Sequence, residues 1–385
     1  MSKSLRISFD KKLLKIFWDN QLSSSYHNIW LRDHSRDPDS FHSITKQRLL
    51  NTSAIRRDIQ PKSVDNDGNS LLVNWNDNTS STYPLRYYPR LTPFKSNQRH
   101  LWDAQYMQQH SPSTHYSKIM DSDKGVLDWL QNINKYGIGF VEGVPHTAEH
   151  TQQLTELITF IRKTHYGEFW DFTSDLSHGD TAYTDIALGP HTDTTYFTDP
   201  IGLQLFHLLQ PATVSGGDSL FIDGFHCANI LKNIDIDAFN TLSTVPIPSH
   251  AVGSEDAIMK PAQQSGYPII NLDNITGELL QIRYNNDDRS VLNHLTPDQV
   301  EAFYRALNVW NSILDDERNQ FWLPLQQGKV VLFDNWRILH GRSSFKGKRR
   351  LCGAYINRDD YVSRLLTLTE KHIDRDLRND YGGLL

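Results

Sequence analysis

The chain has 385 residues, with 45 Asp and Glu against 39 Lys and Arg for a formal net charge of -6. It therefore has no cationic excess to neutralise phosphates, which argues against nucleic acid or an anionic membrane surface as a partner. Its two cysteines, Cys227 and Cys352, stand far apart with no CxxC spacing, so neither a disulfide framework nor a thiolate zinc site is expected. No apolar run approaches the length of a membrane span, and Met1 to Asp10 contain no signal core, so a cytoplasmic protein is expected.

Length favours one large domain and one smaller one. At the start, Leu5, Ile7 and Phe9 alternate, Lys11-Lys12 turn the chain, and Leu14, Ile16 and Trp18 alternate again. Leu71, Val73 and Trp75 form a further alternating run before the polar stretch Asn76 to Ser81. A small β-rich domain over residues 1–105 follows. The Pro-containing segment Tyr88 to Pro93 and the polar stretch to about residue 122 read as a connection, and the main domain is expected over 120–375. There Val126, Trp129, Leu130 and Ile133 have helical spacing and Gly137 suits a left-handed helix end. Ile138 to Val141 reads as a strand, and Leu154, Leu157, Ile158 and Ile161 as a second helix. Strand-like runs then dominate at 202–208, 219–222, 268–272, 330–333 and 351–356, with one more helix near 297–315. The class expected is mainly β with flanking helices, a sandwich or barrel rather than a doubly wound sheet, and no GxGxxG or Walker loop argues otherwise.

His191-Thr192-Asp193 is the first chemical signal, because residues i and i+2 of an extended chain face one side. His372-Ile373-Asp374 has the same spacing in a highly charged stretch and reads as solvated surface. The first copy follows Gly189-Pro190, precedes a strand-like run, and has a candidate companion in His340, which lies beyond the run Val330 to Phe333. Two imidazoles and a carboxylate form the facial triad that holds non-haem Fe(II) and leaves three positions open, two for a chelating 2-oxo acid and one for O2. Zinc suits the same ligands, but there is no HExxH helix. The distant carboxylate of 2-oxoglutarate needs a fixed cation, and Arg349, nine residues after His340, is the candidate; Arg350 is its competitor, since alternation sends neighbours to opposite faces.

The segments 172–184 (FTSDLSHGDTAYT), 191–197 (HTDTTYF), 283–289 (RYNNDDR) and 332–342 (LFDNWRILHGR) resemble the γ-butyrobetaine hydroxylase and trimethyllysine dioxygenase family of Fe(II)/2-oxoglutarate oxygenases, and the trimethyllysine branch in particular. The resemblance runs from Trp30-Leu31-Arg32-Asp33-His34 to Leu351-Cys352-Gly353. It implies a double-stranded β-helix (jelly-roll) domain behind a small N-terminal β domain, with iron on His191, Asp193 and His340 and 2-oxoglutarate on Arg349. It implies C3 hydroxylation of free trimethyllysine at the first step of carnitine synthesis, with release of succinate and carbon dioxide and with ascorbate keeping the iron reduced. Tyr166, Trp170, Tyr183 and Tyr355 resemble the family's aromatic cage, suited to a quaternary ammonium that donates no hydrogen bond. Asp180 is the candidate partner of the substrate α-ammonium. Asn285 and Asn286 either donate to its carboxylate or supply turn backbone. γ-Butyrobetaine hydroxylation is the alternative, and a non-enzymatic β-sandwich that binds quaternary ammonium compounds is a rival of another class. A homodimer is entertained as the assembly without a residue to argue it. One departure concerns the N-terminal domain, whose relatives carry zinc on cysteines after the WLRD-type motif and on a later histidine. Residues His34 to Ser40 contain no cysteine and Asn76 to Thr82 no histidine, so structural zinc is not expected.

Overall fold

The computed structural model describes residues 5–18, 23–85, 99–173, 184–253, 259–263 and 265–372. The described residues divide into two compact units, one within 5–85 and one within 99–372. In the first, the alternating runs become two three-stranded antiparallel sheets, Arg6–Phe9, Leu13–Phe17 and Ser23–His27, then Pro61–Asn66, Ser70–Trp75 and Ser80–Pro84. Leu14, Ile16, Leu71, Val73 and Trp75 point inward from them into one apolar core. Trp75 keeps its buried indole N–H satisfied by donating to Ser81 Oγ at 2.8 Å. At the end of the helix Asn28–Asp33, Arg32 donates to Ser40 Oγ at 3.0 Å, and Asp33 pairs with Arg48 and accepts from Thr52 Oγ1 at 2.7 Å.

The second unit opens on residues that the sequence suggested were connection. Ala104–Gln109 and Tyr116–Asp121 are helices and Ser113–His115 is a strand, with Trp102 and Met107 buried. Polar spacing concealed them, because each element is short and contributes only one or two core side chains. The helix Asp123–Tyr136 buries Val126, Trp129, Leu130 and Ile133 and ends at Gly137, whose φ of 75° is the left-handed closure expected. A Cβ at Gly137 would stand 2.8 Å from the Ile338 side chain.

Two sheets follow. One orders the strands Trp170–Thr173, Arg350–Ile356, Leu203–Gln210, Lys329–Asp334, Ile138–Glu142 and Ser113–His115; the other orders Leu188–His191, Ile338–Arg342, Ser219–Asp223 and Phe321–Leu323. From Leu188 to Gln210 to Asp223, and again from Leu323 to Asp334 to Arg342 to Ile356, the chain alternates between the sheets, which is the winding of a jelly roll. Phe221 and Phe333, 5.5 Å apart between ring centroids, pack across the gap in a core with Val331, Ile338 and Leu351. Helices Gly224–Ile234, Ile236–Thr244 and Pro297–Leu314 share a second apolar cluster. Only the last was expected. The other two are short, and the first opens on Gly224, yet Asp223 and Asp235 cap them by accepting from Phe225 and Ala238 N–H, a signal legible in the sequence. Among the described residues no helix is long and apolar enough to cross a membrane.

Candidate active site

His191 ends the strand Leu188–His191 and lies directly opposite His340 on the strand Ile338–Arg342, so sheet register brings the two imidazoles together with centroids 4.3 Å apart. Asp193 does not extend that strand. The chain turns after His191, held by Thr192 N–H donating to the Tyr284 carbonyl at 2.7 Å and Tyr284 N–H donating back to Thr192 Oγ1 at 3.0 Å. Asn335 accepts from Asp193 N–H at 2.8 Å and donates to its carbonyl at 3.0 Å. Thr194 then adopts φ 57°, and its hydroxyl accepts from Ile201 N–H at 3.0 Å. Arg283, buried and stacked 3.9 Å over Tyr267, donates to the carbonyls of Thr195 and Phe197. The HTDTTYF and RYNNDDR segments thus meet through backbone contacts, and the facial arrangement comes from this clamped turn rather than from strand alternation.

Oδ1 of Asp193 lies 3.3 Å from His191 Nε2 and 3.9 Å from His340 Nε2, and one ligand atom from each of the three residues lies within 4.8 Å of the others. Nδ1 of His191 sits 2.8 Å from the Gly189 carbonyl, which can only accept, so that nitrogen keeps a proton and Nε2 is the atom turned to the cluster. Burial works against charge on His191, but Asp193 and the Gly189 carbonyl outweigh it and lift the imidazole to a pKa of about 9. Burial and then the charge of His191 push His340 down to about 3. Burial would raise Asp193, yet the two histidines and the Tyr355 hydroxyl hold its carboxyl well below the usual range. One neutral imidazole, one that gives up its proton to a competing cation, and one carboxylate form a donor set that fits Fe(II).

Arg349 is 3 % exposed and lines the same cavity. No carboxylate among the described residues neutralises it, and burial followed by repulsion from Arg342 pushes its pKa down to about 10. Arg350 turns outward, pairing with Asp171 through two contacts of 2.8 and 2.6 Å. Arg342, which sequence reasoning left without a role, also borders the cavity, donating to the carbonyls of Thr184 and Ile186.

Tyr166, Trp170 and Tyr355 line this cavity as well, Trp170 and Tyr355 meeting edge to face at 6.1 Å. Tyr196 joins them unforeseen, its hydroxyl 3.4 Å from that of Tyr166, although it stands inside the HTDTTYF segment. Asp180 and Tyr183 lie outside the described residues. Asn285 borders the cavity, but its amide is used in the turn, donating to Asp288 at 2.7 Å and accepting from Asp287 N–H at 3.0 Å. Asn286 lines an adjoining hollow that shares His191, Asn285 and Asp287 with the main cavity. Asp287 and Asp288 reach the main cavity, a placement that sequence reasoning missed. His372, of the second HxD copy, is exposed at the end of the helix Arg358–His372.

Residues 97–355 match the family model described as taurine catabolism dioxygenase TauD, TfdA family, and residues 5–88 match the gamma-butyrobetaine hydroxylase-like N-terminal model. A trimethyllysine dioxygenase of Meyerozyma guilliermondii is 41% identical, covering 94% of this chain and 95% of its own. The chain belongs to the trimethyllysine dioxygenase family. A human member, named as mitochondrial, is also 41% identical and covers 88% of this chain and 82% of its own. A gamma-butyrobetaine dioxygenase of Pongo abelii is more distant at 29%, over 94% of this chain and 95% of its own. As a member of the trimethyllysine dioxygenase family the chain is a 2-oxoglutarate-dependent dioxygenase, and the His-Asp-His cluster is its candidate iron site.

Proposed function

We propose that this chain hydroxylates free trimethyllysine at C3, coupled to oxidative decarboxylation of 2-oxoglutarate to succinate and carbon dioxide, as the first step of carnitine synthesis. The supporting observation is one cavity lined at once by His191, Asp193 and His340, by the buried cation Arg349, and by the rings of Tyr166, Trp170 and Tyr355. Fe(II) held by His191, Asp193 and His340 would supply dioxygen activation coupled to oxidative decarboxylation of the 2-oxo acid. In this reading Arg349 receives the far carboxylate of 2-oxoglutarate in its planar fork. The aromatic wall takes the trimethylammonium by cation–π attraction, with Tyr183 completing the set. Anchoring that end fixes which methylene faces the metal, so position chooses the carbon. Asp180 pairs with the α-ammonium, and of the two asparagines the reading keeps Asn285, which borders the cavity.

The deciding experiment offers trimethyllysine and γ-butyrobetaine side by side with Fe(II) and 2-oxoglutarate and follows products by mass spectrometry. One added oxygen on trimethyllysine is expected. Product from γ-butyrobetaine alone would overturn the substrate, and succinate from neither, with no anaerobic Fe(II)/2-oxoglutarate charge-transfer band, would leave the non-enzymatic binder. Ascorbate as reductant, a cytoplasmic location and a homodimer belong to the same proposal. Their tests are ascorbate dependence of sustained turnover, cell fractionation and mass in solution.

A further inference from the structure

The two oxygens of Asp193 have different company. Oδ1 faces the imidazole nitrogens, whereas Oδ2 accepts from Gln204 Nε2 at 2.7 Å and from the Tyr355 hydroxyl at 2.8 Å. Gln204 and Tyr355 are direct cross-strand partners on the strands Leu203–Gln210 and Arg350–Ile356, which is why both side chains rise from one face and converge on one atom. Both are buried. Only the NH2 end of the amide can donate to a carboxylate, so the orientation of Gln204 is set by Asp193. Its Oε1 is left buried with no partner among the described residues. An unpartnered buried acceptor is costly, and the amide accepts that cost to keep its donor on Oδ2. With the Asp193 backbone clamped by Asn335, neither end of the residue is loose.

A six-coordinate ion has three positions left after two imidazoles and one carboxylate oxygen, and a chelating 2-oxo acid with dioxygen uses all three. A carboxylate bound through both oxygens would take one of them. Turning Oδ2 to the metal would also strip the amide and the phenol of their acceptor. We propose that Gln204 and Tyr355 are positioning residues that hold Asp193 as a one-oxygen ligand and so keep the third position open. Tyr355 has a second part in this, because its ring lines the cavity and meets Trp170: whatever presses on the aromatic wall bears on the metal ligand through one rigid side chain. The inference rests on reading His191, Asp193 and His340 as the metal ligands and is independent of the organic substrate.

The test is anaerobic and omits that substrate. Tyr355→Phe, Gln204→Met and the double variant are loaded with Fe(II) and 2-oxoglutarate, with the charge-transfer band as the loading check, and titrated with nitric oxide, a dioxygen surrogate that takes the third position. We expect the double variant to keep the band but to bind nitric oxide about ten- to a hundredfold more weakly, and Tyr355→Phe to fall between it and the parent. Circular dichroism should match the parent. An unchanged nitric oxide dissociation constant in the double variant would overturn the inference and leave Tyr355 as cavity wall alone. If the double variant does not fold, Tyr355→Phe, which lacks one oxygen atom only, decides by the same measurement. Absence of the band in the parent protein removes the metal reading itself, and with it this inference.

Discussion

Replacing Arg349 with Met removes one of the two buried arginines that line the cavity among the described residues while keeping an unbranched chain. Folding confines that guanidinium at 3 % exposure without a carboxylate partner among the described residues, and its pKa falls from 12.5 to about 10. At ~1.4 kcal/mol per pH unit this is a cost on the order of 3–4 kcal/mol for keeping the charge in the fold. The sign follows from a base whose folded value is depressed: the cost is complete below pH 10 and fades between there and 12.5, so it is fully present at neutral pH. Without 2-oxoglutarate, Arg349→Met should therefore melt no lower than the parent, and higher if the cavity repacks. With 2-oxoglutarate the order should reverse, because the variant loses a charge-assisted contact of roughly 1.5–3 kcal/mol, or about ten- to a hundredfold in the 2-oxoglutarate requirement. Thermal melts with and without 2-oxoglutarate, and the KM for it, measure both effects. Arg350→Met is the control, since its exposed pair with Asp171 is worth only about 0–1 kcal/mol and should leave the KM unchanged. The reasoning fails if Arg349→Met is destabilised in the absence of 2-oxoglutarate, or if Arg350→Met alone raises the requirement.

His191→Ala, Asp193→Ala and His340→Ala should each abolish succinate production with little loss of secondary structure, as read by coupled assay and circular dichroism; parental turnover in any of them refutes the metal assignment. His191 is raised to about 9, so in the metal-free protein it stays protonated beside Asp193 through neutral pH and that pairing is lost as pH climbs past 9. A metal ion must displace this proton, so Mn(II) affinity should rise by about tenfold per pH unit between 7 and 8, with proton release visible by calorimetry in buffers of different ionisation enthalpy. An affinity flat across that range would contradict the pairing. Asp223→Ala should cost about 3–5 kcal/mol in chemical denaturation, because it strips a bidentate partner from fully buried Arg337 and the cap from the helix Gly224–Ile234. Asp180→Asn should lower the ratio of kcat/KM for trimethyllysine over γ-butyrobetaine by about tenfold, since only the first carries an α-ammonium. Equal loss on both substrates would make Asp180 structural.

Much of this protein is legible along the chain because its signals are local. Alternation in Leu71, Val73 and Trp75, helical spacing from Val126 to Ile133 with Gly137 behind it, and the His191, Asp193, His340 and Arg349 pattern all depend on neighbours a few residues away or on side-chain chemistry alone. Composition likewise argued against nucleic-acid and membrane roles without reference to any fold. What spacing left open was decided between distant parts of the chain. Arg349 was the preferred candidate and Arg350 its competitor, and that Arg350 turns outward to Asp171 on a neighbouring strand could not be read from their spacing. Tyr355 was a cage candidate, and its bond to the carboxylate of a residue 162 positions earlier could not be read from its own surroundings. Asn335, although inside the segment 332–342, had no role assigned to it and Gln204 stood in no motif, yet both hold Asp193. Register between strands is set by the packing of whole sheets and the turns that join them, and a shift of one residue would send every one of these side chains to the opposite face.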